Sequence, residues 1–152
     1  MEIGTIEREL YIEATPEIVF SVVSDPEHVK QWWPDDARYE AVVGATGEVL
    51  FGDPDQGGKS VALSVVEVDP PRRFAFRWTH AADEEAAEGN SLLVTFDLTP
   101  QGVGTLLSFR ETGFRELGFE AAVLERQYAE HVQGWDHFLP QLAPYAKTLA
   151  PL

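Results

Sequence analysis

"LERQYAEHVQGWDHFLPQLAPYAKTL", Leu124 to Leu149, repeats its apolar residues at the period of an α-helix. With Trp135 at the centre of a helical wheel, Leu124, Tyr128, His131, Val132, Phe138 and Leu139 fall within about 60° of it at 100° per residue. Leu142, Ala146 and Leu149 continue the same stripe. Pro140 and Pro144 fall on the opposite side, toward water. A proline removes a ladder hydrogen bond, but on the wet side the freed carbonyl is hydrated and the helix can bend around its core. One long terminal helix with a single greasy face is therefore expected, and such a face needs a surface to cover.

The middle of the chain supplies that surface. Six apolar-rich runs lie between about Arg38 and Phe114: "YEAVV", "EVLF", "SVALSVVEV", "FAFRWTH", "SLLVTFDL" and "TLLSFRETGF". Turn-forming clusters rich in Gly, Pro, Asp and Asn separate them, as in an antiparallel meander. A seventh strand is expected near the start. In "TIERELYIEAT", Ile6, Arg8, Leu10 and Ile12 share one face, with glutamates and Tyr11 on the other. Two short helices should follow it. Thr15 caps the first with Pro16 at its first position; Asp25 and Pro26 repeat the signal for the second, and Pro34 stops it. The predicted class is α+β: one domain over residues 1–152, with a seven-stranded antiparallel sheet, two short helices after the first strand and a long C-terminal helix.

Composition limits what such a domain does. The 152 residues are 44 % hydrophobic, enough for a sizeable core. With 26 acidic and 11 basic side chains, the net charge of -15 argues against nucleic acid and anionic membrane surfaces as partners. There is no cysteine, so disulfides, thiolate metal sites and cysteine nucleophiles are excluded. No run approaches the roughly 20 apolar residues of a membrane span, and "MEIGTIEREL" lacks the pattern of a signal peptide. A cytoplasmic location is expected. The four histidines have no metal-ligand spacing, so neither metal nor cofactor is expected; a Gly-x-Ser-x-Gly elbow and a phosphate-binding glycine loop are also absent.

Several side chains stand out. Trp32 and Trp33 are adjacent in "HVKQWWPDD", and two neighbouring indoles rarely share one core. One can face a cavity and the other the helix–sheet junction; plain packing of both is the alternative. Phe74, Phe76 and Trp78 line one face of "FAFRW", which must turn inward, with Phe96 and Phe109 beside them. Arg8 and Glu111 are charges on otherwise apolar strand faces. Buried alone, each would be heavily penalised, so each needs a partner. His131 lies one turn before Trp135 and is either a satisfied core histidine or a ligand contact. His28, His80 and His137 are expected at the surface.

Four segments together resemble one family. "IEATPEIVFSVVSDPEHVKQWW", "VVEVDPPRRFAFRW", "GTLLSFRETGF" and "HVQGWDHFLPQLAPY" are similar, in this order, to the family named for the activator of the heat-shock-protein ATPase. That family has the START-like, birch-pollen-allergen-like helix-grip fold (the SRPBCC superfamily), in which a curved sheet wraps the C-terminal helix around a cavity. The resemblance implies that Trp32, Trp33, Phe74, Phe76, Trp78, Phe96, Phe109, Arg8, Glu111, His131, Trp135 and Phe138 are the candidates to surround a ligand. It makes the first and last strands neighbours, so Arg8 and Glu111 are expected to pair with each other inside the cavity or at its rim. It implies a binder of a small hydrophobic or aromatic molecule, without catalysis. Two alternatives stand beside it, since the fold hosts many functions. One is a cyclase- or hydrolase-type enzyme using Glu111 or His131 as acid or base. The other is a co-chaperone-like module that contacts a chaperone or a second copy of the chain. The resemblance is to the C-terminal domain of the eukaryotic activators, so their chaperone activity is not carried over.

Overall fold

The first strand, β1 (Thr5–Ile12), keeps the alternation of its sequence: Ile6 and Ile12 are buried, Glu7 and Glu9 exposed. The computed structural model describes residues 4–150, without the side chain of Pro54. Two short helices follow β1 at their predicted caps. Thr15 Oγ1 accepts from the Ile18 amide at 3.4 Å to open α1 (Pro16–Ser24), and Asp25 Oδ1 accepts from Glu27 at 2.9 Å to open α2 (Pro26–Val29). Each begins with proline, whose missing N–H is no loss at the first helical position.

The sheet then runs through β2 (Asp36–Arg38), β3 (Thr46–Phe51), β4 (Lys59–Asp69), β5 (Arg73–Trp78), β6 (Leu92–Gln101) and β7 (Gly104–Thr112). All neighbours are antiparallel, in the order β1-β7-β6-β5-β4-β3-β2, so β1 and β2 form the two edges. The chain closes with α3 (Ala121–Leu149), continuous through Pro140 and Pro144, which are both exposed as the wheel requires. The predicted α+β architecture is the observed one. No helix among the described residues is long and apolar enough to cross a membrane.

One strand lies elsewhere than expected. "YEAVV" (Tyr39–Val43) is not a strand; β2 precedes it, and Val42 and Val43 are exposed in a turn. Ala37 is buried opposite Val49, while the Tyr39 hydroxyl donates to the Ser24 carbonyl at 2.8 Å and draws the backbone off the ladder toward α1. β5 also stops at Trp78, short of the "TH" that ends its run. Thr79 takes φ 71°, a left-handed conformation rare for a β-branched residue.

The core forms where the face of α3 meets the sheet. Trp135, Leu139, Leu142 and Ala146 are buried beneath it. Register places Phe74 opposite Phe96, and Phe96 opposite Phe109, so the aromatic row crosses three strands without a break. All three rings are buried, as expected of an inward face.

Candidate functional site

Glu111 sits on β7 between Ile6 of β1 and Val94 of β6, and it is fully buried. A carboxyl group in such apolar company needs donors. It has three. Trp78 Nε1 donates to Oε2 at 2.7 Å, Trp135 Nε1 donates to Oε1 at 2.9 Å, and His131 Nδ1 lies 2.8 Å from Oε1. An indole N–H can only donate, so both oxygens are held as acceptors. Toward an ionised Glu111, His131 donates from Nδ1, which leaves Nε2 as the ring's second functional atom. Nε2 makes no hydrogen bond among the described residues.

Beside this carboxylate lies a pocket of about 260 Å³ between β3, β4, β5 and α3. Trp33, Trp78, Trp135, Phe51 and Phe138 wall it, with His131 along one side. Gly134 also lines it, and a Cβ built there meets no atom within 4 Å, so the missing side chain contributes to the hollow. The exposed Lys59 and Glu130 bring opposite charges to its mouth. Thr79, with its left-handed backbone, completes the wall. Such a residue stores roughly 1–3 kcal/mol of strain, which surrounding structure must hold in place.

The two neighbouring tryptophans divide their work. Trp33 reaches the pocket, with ring centroids 5.0 Å from Trp78 and 4.9 Å from Trp135. Trp32 stacks on Trp33, with ring centroids 6.1 Å apart, but lies outside the lining, donating its Nε1–H to the Val22 carbonyl at 2.9 Å and meeting Phe96 edge to face at 6.3 Å. That carbonyl lies in the last turn of α1, where it has no partner within the helix.

The sequence profile of proteins described as Activator of Hsp90 ATPase homolog 1-like matches residues 13–147 of this chain. The chain belongs to that family. Its START-like fold is shared with solved structures. Protein MLL2253 from Mesorhizobium loti is 24 % identical, with a TM-score of 0.75 over 95 % of this chain and 97 % of that one. The Aha1 dimer from Colwellia psychrerythraea is 19 % identical, with a TM-score of 0.67 over 91 % and 92 %. DynU16, from the dynemicin biosynthetic locus, is 26 % identical, with a TM-score of 0.71 over 97 % of this chain but 49 % of its own length. No curated protein matches the sequence.

In this family member, five of the residues singled out from sequence line the pocket: Trp33, Trp78, His131, Trp135 and Phe138. Glu111 is bonded to three of them without itself forming the wall. Phe74, Phe76, Phe96, Phe109 and Trp32 lie in the packed core outside the lining; Phe76 and Phe109 touch it through Trp33 at 5.7 Å and Trp135 at 4.6 Å. Arg8 requires a correction. It does not pair with Glu111. Its Nε donates to Asp136 Oδ1 at 2.8 Å, on the partly exposed flank of α3. Register sets Arg8 opposite Phe109, not Glu111, and α3 presents the nearer carboxylate. This contact raises the arginine pKa and holds Asp136 below the ordinary carboxylate range.

Two histidines also differ from expectation. His28 is half-buried, with Nδ1 2.7 Å from the Tyr145 hydroxyl. His80 is buried, its Nε2 3.2 Å from Ser64 Oγ. His137 is exposed, as the wheel predicts. Phe51, Val61, Thr79 and Gly134 were not legible as pocket residues. Gly134 carried the one signal, a glycine in the interior of a helical segment.

Proposed function

We propose that the chain binds a small aromatic or hydrophobic molecule in the pocket between β3–β5 and α3, and releases it unchanged. The observation that carries this reading is a hollow walled by three indoles and two phenyl rings, with a glycine where a side chain would fill it. Concave, mostly apolar walls with a few polar groups suit small organic ligands, and about 260 Å³ limits the buried part to the order of two fused rings. The place of DynU16 in a biosynthetic locus is consistent with a small organic guest. The acidic chain is read as a cytoplasmic protein with no nucleic-acid or membrane partner.

The test is a thermal-shift screen of bicyclic aromatics against the chain and its Gly134→Leu variant. A guest at saturating concentration should raise Tm by mass action, and the leucine should abolish the shift. A null screen with a correctly folded protein overturns the proposal.

A specific observation favours a second reading. Glu111 and His131 form a carboxylate–imidazole pair whose imidazole lines the pocket. Nε2 would take a proton from a bound molecule while Glu111 stabilises the imidazolium. Base-promoted hydrogen–deuterium exchange at an enolisable carbon of 2-tetralone tests it. The proton moves to Nε2, the C–H electrons pass into the enolate, and solvent deuteron returns to carbon. Exchange above background that is lost in His131→Asn supports acid–base chemistry; equal exchange in both leaves the chain a binder.

A further inference from the structure

A second, polar groove of about 440 Å³ adjoins the aromatic pocket and shares Lys59, Val61, Thr79, Glu130 and His131 with it. Its walls also carry His80 and Gln127. These two hold the only buried side-chain polar atoms without a partner among the described residues: His80 Nδ1 and Gln127 Oε1. Buried polar atoms are paired in the great majority of cases, because an unmade hydrogen bond costs its full desolvation. Both atoms belong to residues that line the same groove, at the side of an apolar hollow.

We infer that pocket and groove are two halves of one site, and that its ligand is amphipathic: an aromatic body between the indoles and a hydroxyl group that bridges His80 and Gln127. The inference rests on the ligand-binding reading above and narrows it to a phenol- or alcohol-bearing class. Ser64 sets the chemistry of the histidine. Its Oγ lies 3.2 Å from His80 Nε2, and we take the tautomer in which the hydroxyl donates to Nε2, leaving Nδ1–H as a donor. Burial pushes the His80 imidazole below its ordinary range, so the ring is neutral near pH 7. Gln127 Oε1 accepts only. A hydroxyl is the smallest group that accepts from the first and donates to the second. Thr79 lies in both halves, and its left-handed backbone is the hinge between the end of β5 and His80.

The experiment compares 2-naphthol and 2-(2-naphthyl)ethanol with their alkyl isosteres, 2-methylnaphthalene and 2-propylnaphthalene, by NMR titration. At least one hydroxylated probe should bind the wild-type chain roughly tenfold tighter than its isostere. Gln127→Leu should bring that ratio close to one while leaving the isostere's affinity within about twofold. His80→Phe should do the same; Gln127 is only half-buried on the helix, so its variant decides the matter if the core variant does not fold. Equal affinity for probe and isostere, or a ratio that Gln127→Leu does not move, overturns the inference and assigns the orphans to bound water. If the isosteres still bind and Gly134→Leu expels them, the hydrophobic-ligand reading survives alone. If none of the four probes binds, both fall.

Discussion

Trp135 of α3 donates its indole N–H to Glu111 Oε1 of β7 at 2.9 Å, so helix and sheet are joined through a buried carboxylate as well as by apolar contact. Trp78 binds the other oxygen and His131 shares the first. Glu111→Leu strands two indole N–H groups and one imidazole nitrogen. At about 1–3 kcal/mol for each orphan, partly relieved by relaxation, it should lose about 3–5 kcal/mol. Glu111→Gln keeps one acceptor and should lose about 1–3 kcal/mol. Urea denaturation measures both; a leucine variant within about 1 kcal/mol of wild type would show that the carboxylate anchors nothing.

Gly134 separates stability from binding. Its φ is not in the left-handed region, and a Cβ there meets no atom within 4 Å. Gly134→Ala should therefore raise stability by about 0.5–1 kcal/mol through helix propensity and lower unfolded-state entropy. Gly134→Leu should keep that stability while filling the hollow. A leucine variant that binds aromatic probes as well as wild type would place their site elsewhere.

The adjacent tryptophans should respond differently to the same substitution. Trp32→Phe frees the Val22 carbonyl at the end of α1 and leaves a void, so a loss of about 2–4 kcal/mol is expected, with probe affinity per folded molecule unchanged. Trp33→Phe reshapes the pocket wall and should weaken probe binding several-fold at smaller cost in stability. Paired denaturation and titration curves check the contrast; equal behaviour of the two variants would contradict the division between them.

His80 gives the stability curve a sign. Its folded pKa lies below the unfolded value of about 6.5 because burial disfavours the charged ring, with Glu84 opposing weakly. Above pH 6.5 both states are neutral there and stability is unaffected. As pH falls from about 6.5 toward the lower folded pKa, the unfolded chain takes up the proton first, and stability declines. His80→Phe should flatten this decline below about pH 6.5. An identical slope in wild type and variant would remove His80 as its source.

Much of this architecture was readable because it rests on periodicity and caps. Thr15, Asp25 and the α3 stripe carry local signals, and local chemistry decides them. Glu111 was recognisable as a charge among Leu107 and Phe109, yet its partners were not. They depend on the rotation of α3, which places Trp135 over Glu111 and its neighbour Asp136 over Arg8. Consecutive helix residues thus clasp two strand charges that the family resemblance had paired with each other. "YEAVV" failed for a related reason: the hydroxyl of Tyr39 is claimed by α1, and tertiary bonding overrode strand propensity. Nothing in a threonine announces the left-handed backbone of Thr79, nor does a histidine at a strand's end announce burial.

The clasp between Arg8 and Asp136 also bears on how copies of the chain can meet. β1 is an open border of the sheet, eight residues long, and the Tyr128 hydroxyl and Arg8 Nη1 donate to its Thr5 and Glu7 carbonyls at 3.1 and 2.8 Å. A foreign strand docking there would have to flank an inward cation already neutralised by its own helix, beside a fringe of glutamates at positions 7 and 9. The opposite border is only three residues long. The charges on the first border and the shortness of the second both disfavour polymerisation by β-addition.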